Sequence, residues 1–224
     1  MSLAQPFAEI EYPESDGKPM AETELHLEWM IDIRNRLKYR YQGQRVYVGA
    51  NLLVYYVEGD ARKSVAPDGF VVKDCDPGRR RTFKTWVEQR TPDVVFEVTS
   101  SSTRSEDEKL KPQTYARIGV KELFLYDPTG DYLDPVLQGY CFSRGRKTRI
   151  RPNASGALEC RELGLLVRLD DAVALHLFDS GTGERLLTEA EAADARAQKE
   201  RAAREAVEEE LRRLRDQLQR DAGS

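Results

Sequence analysis

The chain has 224 residues, of which 40% are hydrophobic and 33% charged, with a formal net charge of −4. That length fits one large domain or a medium domain with an appendage, and the acidic balance argues against a coat for nucleic acid while leaving 35 Lys and Arg for a local basic groove. Three scattered cysteines, Cys75, Cys141 and Cys160, form no CxxC pair, which speaks against a disulfide framework or zinc site and suits a reducing cytoplasm. No run reaches the ~20 apolar residues that span a bilayer, and Met1 to Pro6 lack the basic and apolar regions of a signal peptide.

Residues 1–20 are polar and broken by Pro6, Pro13, Gly17 and Pro19, so they predict an irregular lead-in. From Thr23, a suitable N-cap, Leu27, Met30, Ile33 and Leu37 recur at helical spacing and predict an amphipathic helix ending near Gly43. Val46–Val48, Leu52–Val57 and Phe70–Val72 are rich in β-branched and aromatic residues and predict strands. A basic turn at Pro77–Arg81 follows, then Phe83–Trp86. Val94–Val98 is nearly continuous in apolar residues, as in a central strand covered on both faces.

A Ser/Thr-rich turn over Thr99–Ser105 leads to a helix closed by Gly119, and Val120–Tyr126 predicts the next strand. One crossover helix between two buried strands implies that part of the sheet is parallel. Residues 132–178 predict hairpins at the sheet edge, and the globular part ends near Gly183. Beyond Thr188 the composition turns to Ala, Glu, Arg and Lys, with Val207, Leu211, Leu214 and Leu218 at alternating spacings of four and three. That seam suits a solvated helix, a two-stranded coiled coil that makes a homodimer, or docking on a partner.

Three strings carry the chemistry. Asp68 follows Pro67 at the start of an apolar run, where Pro-Asp-Gly also reads as a plain turn. Glu97 interrupts the buried strand, and an ionised carboxylate there costs several kcal/mol unless a cation, metal or donor network compensates it; an arginine partner is the alternative. Asp107, Lys111 and Tyr115 stand four apart and share a helix face, where the acid–lysine pair alone is ordinary helix stabilisation. Pro112 fits best if the regular helix begins with it, which sets Lys111 at the helix mouth. Arg79, Arg80, Arg81 and Lys84, with Trp86 nearby, form a basic patch that is either a solvated loop or a phosphate-gripping flap.

The order Pro67-Asp68, then Glu97-Val98-Thr99-Ser100-Ser101-Ser102-Thr103, then Asp107 to Glu122 resembles the PD-(D/E)XK nuclease superfamily, and within it the bacterial Uma-type restriction endonucleases. The resemblance implies an α/β, restriction-endonuclease-like mixed sheet flanked by helices over residues 21–185, with β-hairpin additions and a C-terminal helical tail over 186–224. It implies a Mg²⁺-dependent endonuclease acting on DNA, with Mn²⁺ as substitute, in which Asp68 and Glu97 bind metal. The superfamily lysine falls at Thr99, so the resemblance moves that role to Lys111, with Lys109 as fallback. Lys109 and Tyr115 join the basic patch as DNA-contact candidates. Glu24, His26 and Glu28 on the first helix come within reach of a metal but read first as surface residues.

Overall fold

The computed structural model describes residues 10–15, 17, 23–101, 103–144 and 146–222. Most of the lead-in, together with Ser102 and Gly145, lies outside the described residues. Two compact units are present, Met1–Leu186 and Leu187–Ser224.

The first helix, α1 (Glu24–Arg40), begins where the Thr23 hydroxyl accepts a hydrogen bond from the His26 N–H at 3.1 Å. That cap satisfies one of the four orphan amides at the helix start. Met30, Ile33 and Leu37 are buried at helical spacing, and Leu27 is only half-buried. Arg36 on the same face is buried too, held bidentately by Asp32 at 2.7 and 2.9 Å and by the Leu186 carbonyl at 2.7 Å.

Next come β1 (Val46–Gly49), β2 (Val54–Tyr55), β3 (Ser64–Val65), β4 (Gly69–Lys73), β5 (Phe83–Lys84), the single turn α2 (Thr85–Glu88) and β6 (Val94–Val98). A helical segment from Arg104 passes through a π-helical stretch, Glu106–Leu110, into α3 (Lys111–Ile118). β7 (Glu122–Tyr126), β8 (Leu137–Ser143) and β9 (Arg146–Ile150) complete a six-stranded sheet of order β1-β4-β6-β7-β8-β9. Its strands pair antiparallel except β6 with β7, which are parallel because α3 carries the chain back across the sheet. This mixed sheet, with smaller sheets beside it and a C-terminal helix, is the restriction-endonuclease-like architecture that the sequence resemblance implies.

The later hairpins divide. β8 and β9 lie at the sheet edge, whereas β10 (Leu158–Cys160), β11 (Leu165–Leu169) and β12 (Leu175–Asp179) form a separate antiparallel sheet. Alternating patterns fix which faces are apolar but not which strand is the neighbour, hence the difference from the expected edge position. The second unit is α4 (Glu189–Ala222), whose Val207, Leu211, Leu214 and Leu218 are exposed.

Side-chain alternation sorts the central strands into two cores. Val94, Phe96 and Val98 of β6 join Ile33 and Leu37 of α1 and the β10–β12 sheet on one side. Val95, with Phe70 and Val72 of β4, joins Tyr115 of α3 on the other. By the same period, Asp68 and Glu97 fall on the α3 side. Gly49 sits across from Phe70, and a Cβ there would come within 2.3 Å of the Phe70 ring. After β7, the buried Asp127 ties the loop down. Its Oδ1 accepts from the Thr129 N–H, the Thr129 hydroxyl and the Gly130 N–H, and its Oδ2 from the Tyr132 and Leu133 N–H groups.

Candidate active site

Sheet register brings the two acids together. Gly69 pairs with Phe96 across β4 and β6, so Asp68 and Glu97 stand side by side where these strands end, and the Asp68 N–H lies 3.4 Å from Oε2 of Glu97. Asp68 is 8% exposed and Glu97 1%. Oδ2 of Asp68 accepts the Val98 N–H at 2.8 Å and lies 3.1 Å from Nε2 of His26. Burial works to raise the Asp68 carboxyl, but the His26 hydrogen bond, the charge of Lys111 and the Val98 N–H prevail and hold it below the usual carboxylate range.

Glu97 meets the crossover helix. Its Oε2 receives the Lys111 ammonium at 2.8 Å, and its Oε1 accepts the Tyr115 hydroxyl. Lys111 is also 2.8 Å from Oδ1 of Asp107, which is fully buried. Burial pushes both carboxyls upward, Glu97 strongly, with the Lys111 charge opposing it. Burial would lower the Lys111 ammonium, but Glu97, Asp107 and Asp68 raise it above its ordinary value, so it stays charged at neutral pH. Burial and the Glu97 charge raise the Tyr115 phenol, which stays a neutral donor.

The helix geometry follows from Pro112. A proline ring collides with the carbonyl four residues before it in an α-helix. Here the preceding stretch widens, the Lys111 N–H bonding the Glu106 carbonyl five residues back. The regular α-helix therefore begins at Lys111 with Pro112 in its first turn, and the helical path begins at Arg104, earlier than the sequence pattern suggests. Lys111 and Tyr115 both meet Glu97 and Asp107 meets Lys111, while Lys109 is exposed on the outer face. Thr99, where a superfamily lysine would stand, is buried, and its hydroxyl has no hydrogen-bond partner among the described residues.

His26 and Asp107 are the site members that sequence reasoning undervalued. His26 is 5% exposed, whereas Glu24 and Glu28 are exposed as expected. The available signal was its register, since 26, 30, 33 and 37 continue the apolar stripe of α1. Asp107 looked like half of a surface ion pair, yet it shares the buried face with Lys111 and Tyr115.

The basic patch is built differently from a free flap. Arg80 is held by both Glu88 oxygens, at 2.6 and 2.7 Å, and lies 4.3 Å over the Tyr47 ring. Arg81 pairs with Glu14, Lys84 sits over the Tyr12 ring at 4.4 Å, and Arg79 is exposed. Tyr115 is fully buried and faces Glu97.

Two carboxylates at adjacent strand ends are oxygen donors of the kind Mg²⁺ takes. The buried acids Asp68, Glu97 and Asp107 outnumber the cations Lys111 and His26 even with His26 counted as charged. In charge and donor type the cluster fits a divalent cation. Among the described residues no three acidic, histidine or cysteine side chains are already grouped as metal ligands, so Asp68 and Glu97 offer themselves as a pair. No helix among the described residues is long and apolar enough to cross a membrane.

A family model described as "Uma2: Putative restriction endonuclease" matches residues 10–150, a span that takes in Asp68, Glu97, Lys111 and β9. No curated protein matches the chain.

Proposed function

The chain belongs to the Uma2 restriction-endonuclease family, and from that premise we propose that it is a Mg²⁺-dependent endodeoxyribonuclease, with Mn²⁺ as substitute, whose catalytic residues are Asp68, Glu97 and Lys111. The observation that carries this reading is the burial of Glu97 beside Asp68 with Lys111 as its cation. A buried cluster of this kind costs more than hydrophobic packing of the same volume would, which points to use rather than to stability.

Asp68, Glu97 and the Val98 carbonyl would hold the ion, which when bound polarises the scissile phosphate and lowers the pKa of an attacking water. Asp68 stays ionised and oriented because His26 and the Val98 N–H fix its Oδ2. Tyr115 fixes Oε1 of Glu97 and so sets the plane of that carboxyl. Lys111 is charged and largely desolvated, so its N–H donors can balance negative charge that develops on the phosphoryl oxygens, or orient the water. Hydrolysis replaces one P–O ester bond by P–OH, and the leaving oxygen takes a proton.

One observation favours a second reading, a catalytically weak DNA-binding or partner-docking module assembled through α4. Both oxygens of Glu97 are already taken by Lys111 and Tyr115. Supercoiled plasmid with Mg²⁺ or Mn²⁺ separates the two. Nicking by the wild type that disappears in Asp68→Ala and in Lys111→Ala supports the nuclease; nicking that survives Asp68→Ala defeats it. A cytoplasmic location accords with three free cysteines, and a homodimer through α4 accords with its exposed leucines.

A further inference from the structure

β9 reads Arg146-Lys147-Thr148-Arg149-Ile150 and is the last strand of the central sheet, followed directly by Arg151. Arg146, Lys147, Arg149 and Arg151 are all exposed. Strand register divides them. Lys147 lies opposite Phe142 and Arg149 opposite Tyr140, so these two share the face on which Tyr140 and Phe142 pack towards the core containing Tyr115. Lys147 stands 4.2 Å over the Tyr140 ring, which fixes its stem along the strand.

On that face runs a cavity of about 580 Å³ between β9 and the outer side of α3. Lys109, Arg117 and Lys147 line it, with Gln113 and Ala116 from α3 and with Glu108 as the one acid. Lys109, Gln113 and Arg117 are spaced four apart, opposite the helix face that carries Lys111 and Tyr115. One helix thus presents the candidate catalytic lysine inward and a basic row outward, towards a basic strand. A charged edge strand also has a plainer use, since lysine and arginine there discourage edge-to-edge aggregation. That use needs charge of either sign; it gives no reason for a facing helix to repeat the positive sign across a groove.

We propose that the groove between β9 and α3, lined by the cations Lys109, Arg117 and Lys147 and continued along the same face of β9 by Arg149, is the seat of the phosphate backbone of duplex DNA. Charge complementarity selects this occupant: a backbone of regularly spaced anions fits a row of cations along an extended strand, and such contacts position a duplex without reading its sequence. The proposal deepens the nuclease reading and rests on it for the identity of the substrate.

The test is binding of the full chain to a fluorescein-labelled duplex of arbitrary sequence, followed by anisotropy over a salt series in EDTA so that no cleavage intrudes. Lys147→Glu/Arg149→Glu keeps the edge charged. We expect it to remain soluble, to bind on the order of ten-fold or more weakly, and to lower the slope of log affinity against log salt by about 2, near 0.9 for each phosphate contact removed. Arg149→Lys retains the charge and should retain most of the affinity. Unchanged affinity and slope in the reversed variant overturn the proposal, as does loss confined to a parallel Arg79→Glu/Arg81→Glu variant. A wild type without affinity for the duplex overturns it as well. A wild type that binds through Lys147 and Arg149 yet never nicks plasmid upholds the surface and removes the nuclease.

Discussion

The ammonium of Lys111 lies 2.8 Å from Oε2 of Glu97, two groups 14 residues apart that meet because a parallel crossover returns the helix over the strand it left. The pair is almost wholly out of water, Lys111 with 11% of its side chain exposed and Glu97 with none.

Removing only the cation should therefore be costly. Lys111→Met leaves Glu97 and Asp107 buried without it, and the expected loss is about 3–5 kcal/mol in urea unfolding at neutral pH. The double variant Glu97→Gln/Lys111→Met should lose less than the two single variants combined, by about 0.5–3 kcal/mol. Strict additivity would mean that the two side chains do not interact in solution.

Asp127 gives a pH-dependent prediction away from the metal candidates. Burial works to raise its carboxyl, but the Tyr132, Leu133 and Thr129 donors outweigh it and hold it below 3.8. A folded-state pKa below the unfolded one gives stability that is present above about 3.8 and lost as pH falls through the folded value. Asp127→Asn replaces an acceptor by a donor facing N–H groups, and should cost about 1–3 kcal/mol. The deficit should stay level from pH 7 to pH 5 and shrink only below the unfolded value. Denaturant unfolding of both proteins from pH 7 down to below about 3.8 checks it; a deficit that instead grows on acidification would reverse the sign.

Gly49→Ala tests the packing beneath β4. The new methyl would lie 2.3 Å from Phe70 Cζ, a side chain that is fully buried and cannot swing away. Overpacking of this kind costs about 1–3 kcal/mol. The midpoint of urea unfolding should fall, and more than for Gly59→Asn, where no atom of the described residues stands within 4 Å of the new Cβ and asparagine tolerates the positive φ.

The tail makes a separate prediction. If Leu211 and Leu214 form the seam between two copies, Leu211→Glu/Leu214→Glu should halve the mass seen by light scattering while the unfolding of the first unit is unchanged. A wild type that is already monomeric removes the coiled-coil dimer.

Much of the fold was legible because its signals are local. Thr23 as a cap, the stripe of Met30, Ile33 and Leu37, the buried run at Val94–Val98 and Gly119 with its φ of 93° each follow from a few neighbouring residues. Glu97 stood out because a carboxylate in a continuous apolar strand demands compensation. Less could be read where partners are distant. Nothing in residues 158–179 says that their strands pair with one another rather than with the central sheet. His26 resembles any first-turn residue until Asp68 is folded against it, and Arg80 resembles a free cation until Glu88 closes on it. The basic run at β9 escaped notice beside the denser triplet Arg79–Arg81, although only the former lies along an exposed strand.

The widened turn at Glu106–Leu110 makes the site depend on helical phase. Each residue of an α-helix advances about 100° around the axis. Deleting one residue between Asp107 and Lys111 would restore ordinary pitch and leave the acid three residues before the lysine, still on the same helix face, but it would bring the Pro112 ring back against the carbonyl four residues before it. In this chain, a single-residue length change in the helical lead-in would strain the helix that carries the lysine without touching either carboxylate on the strands.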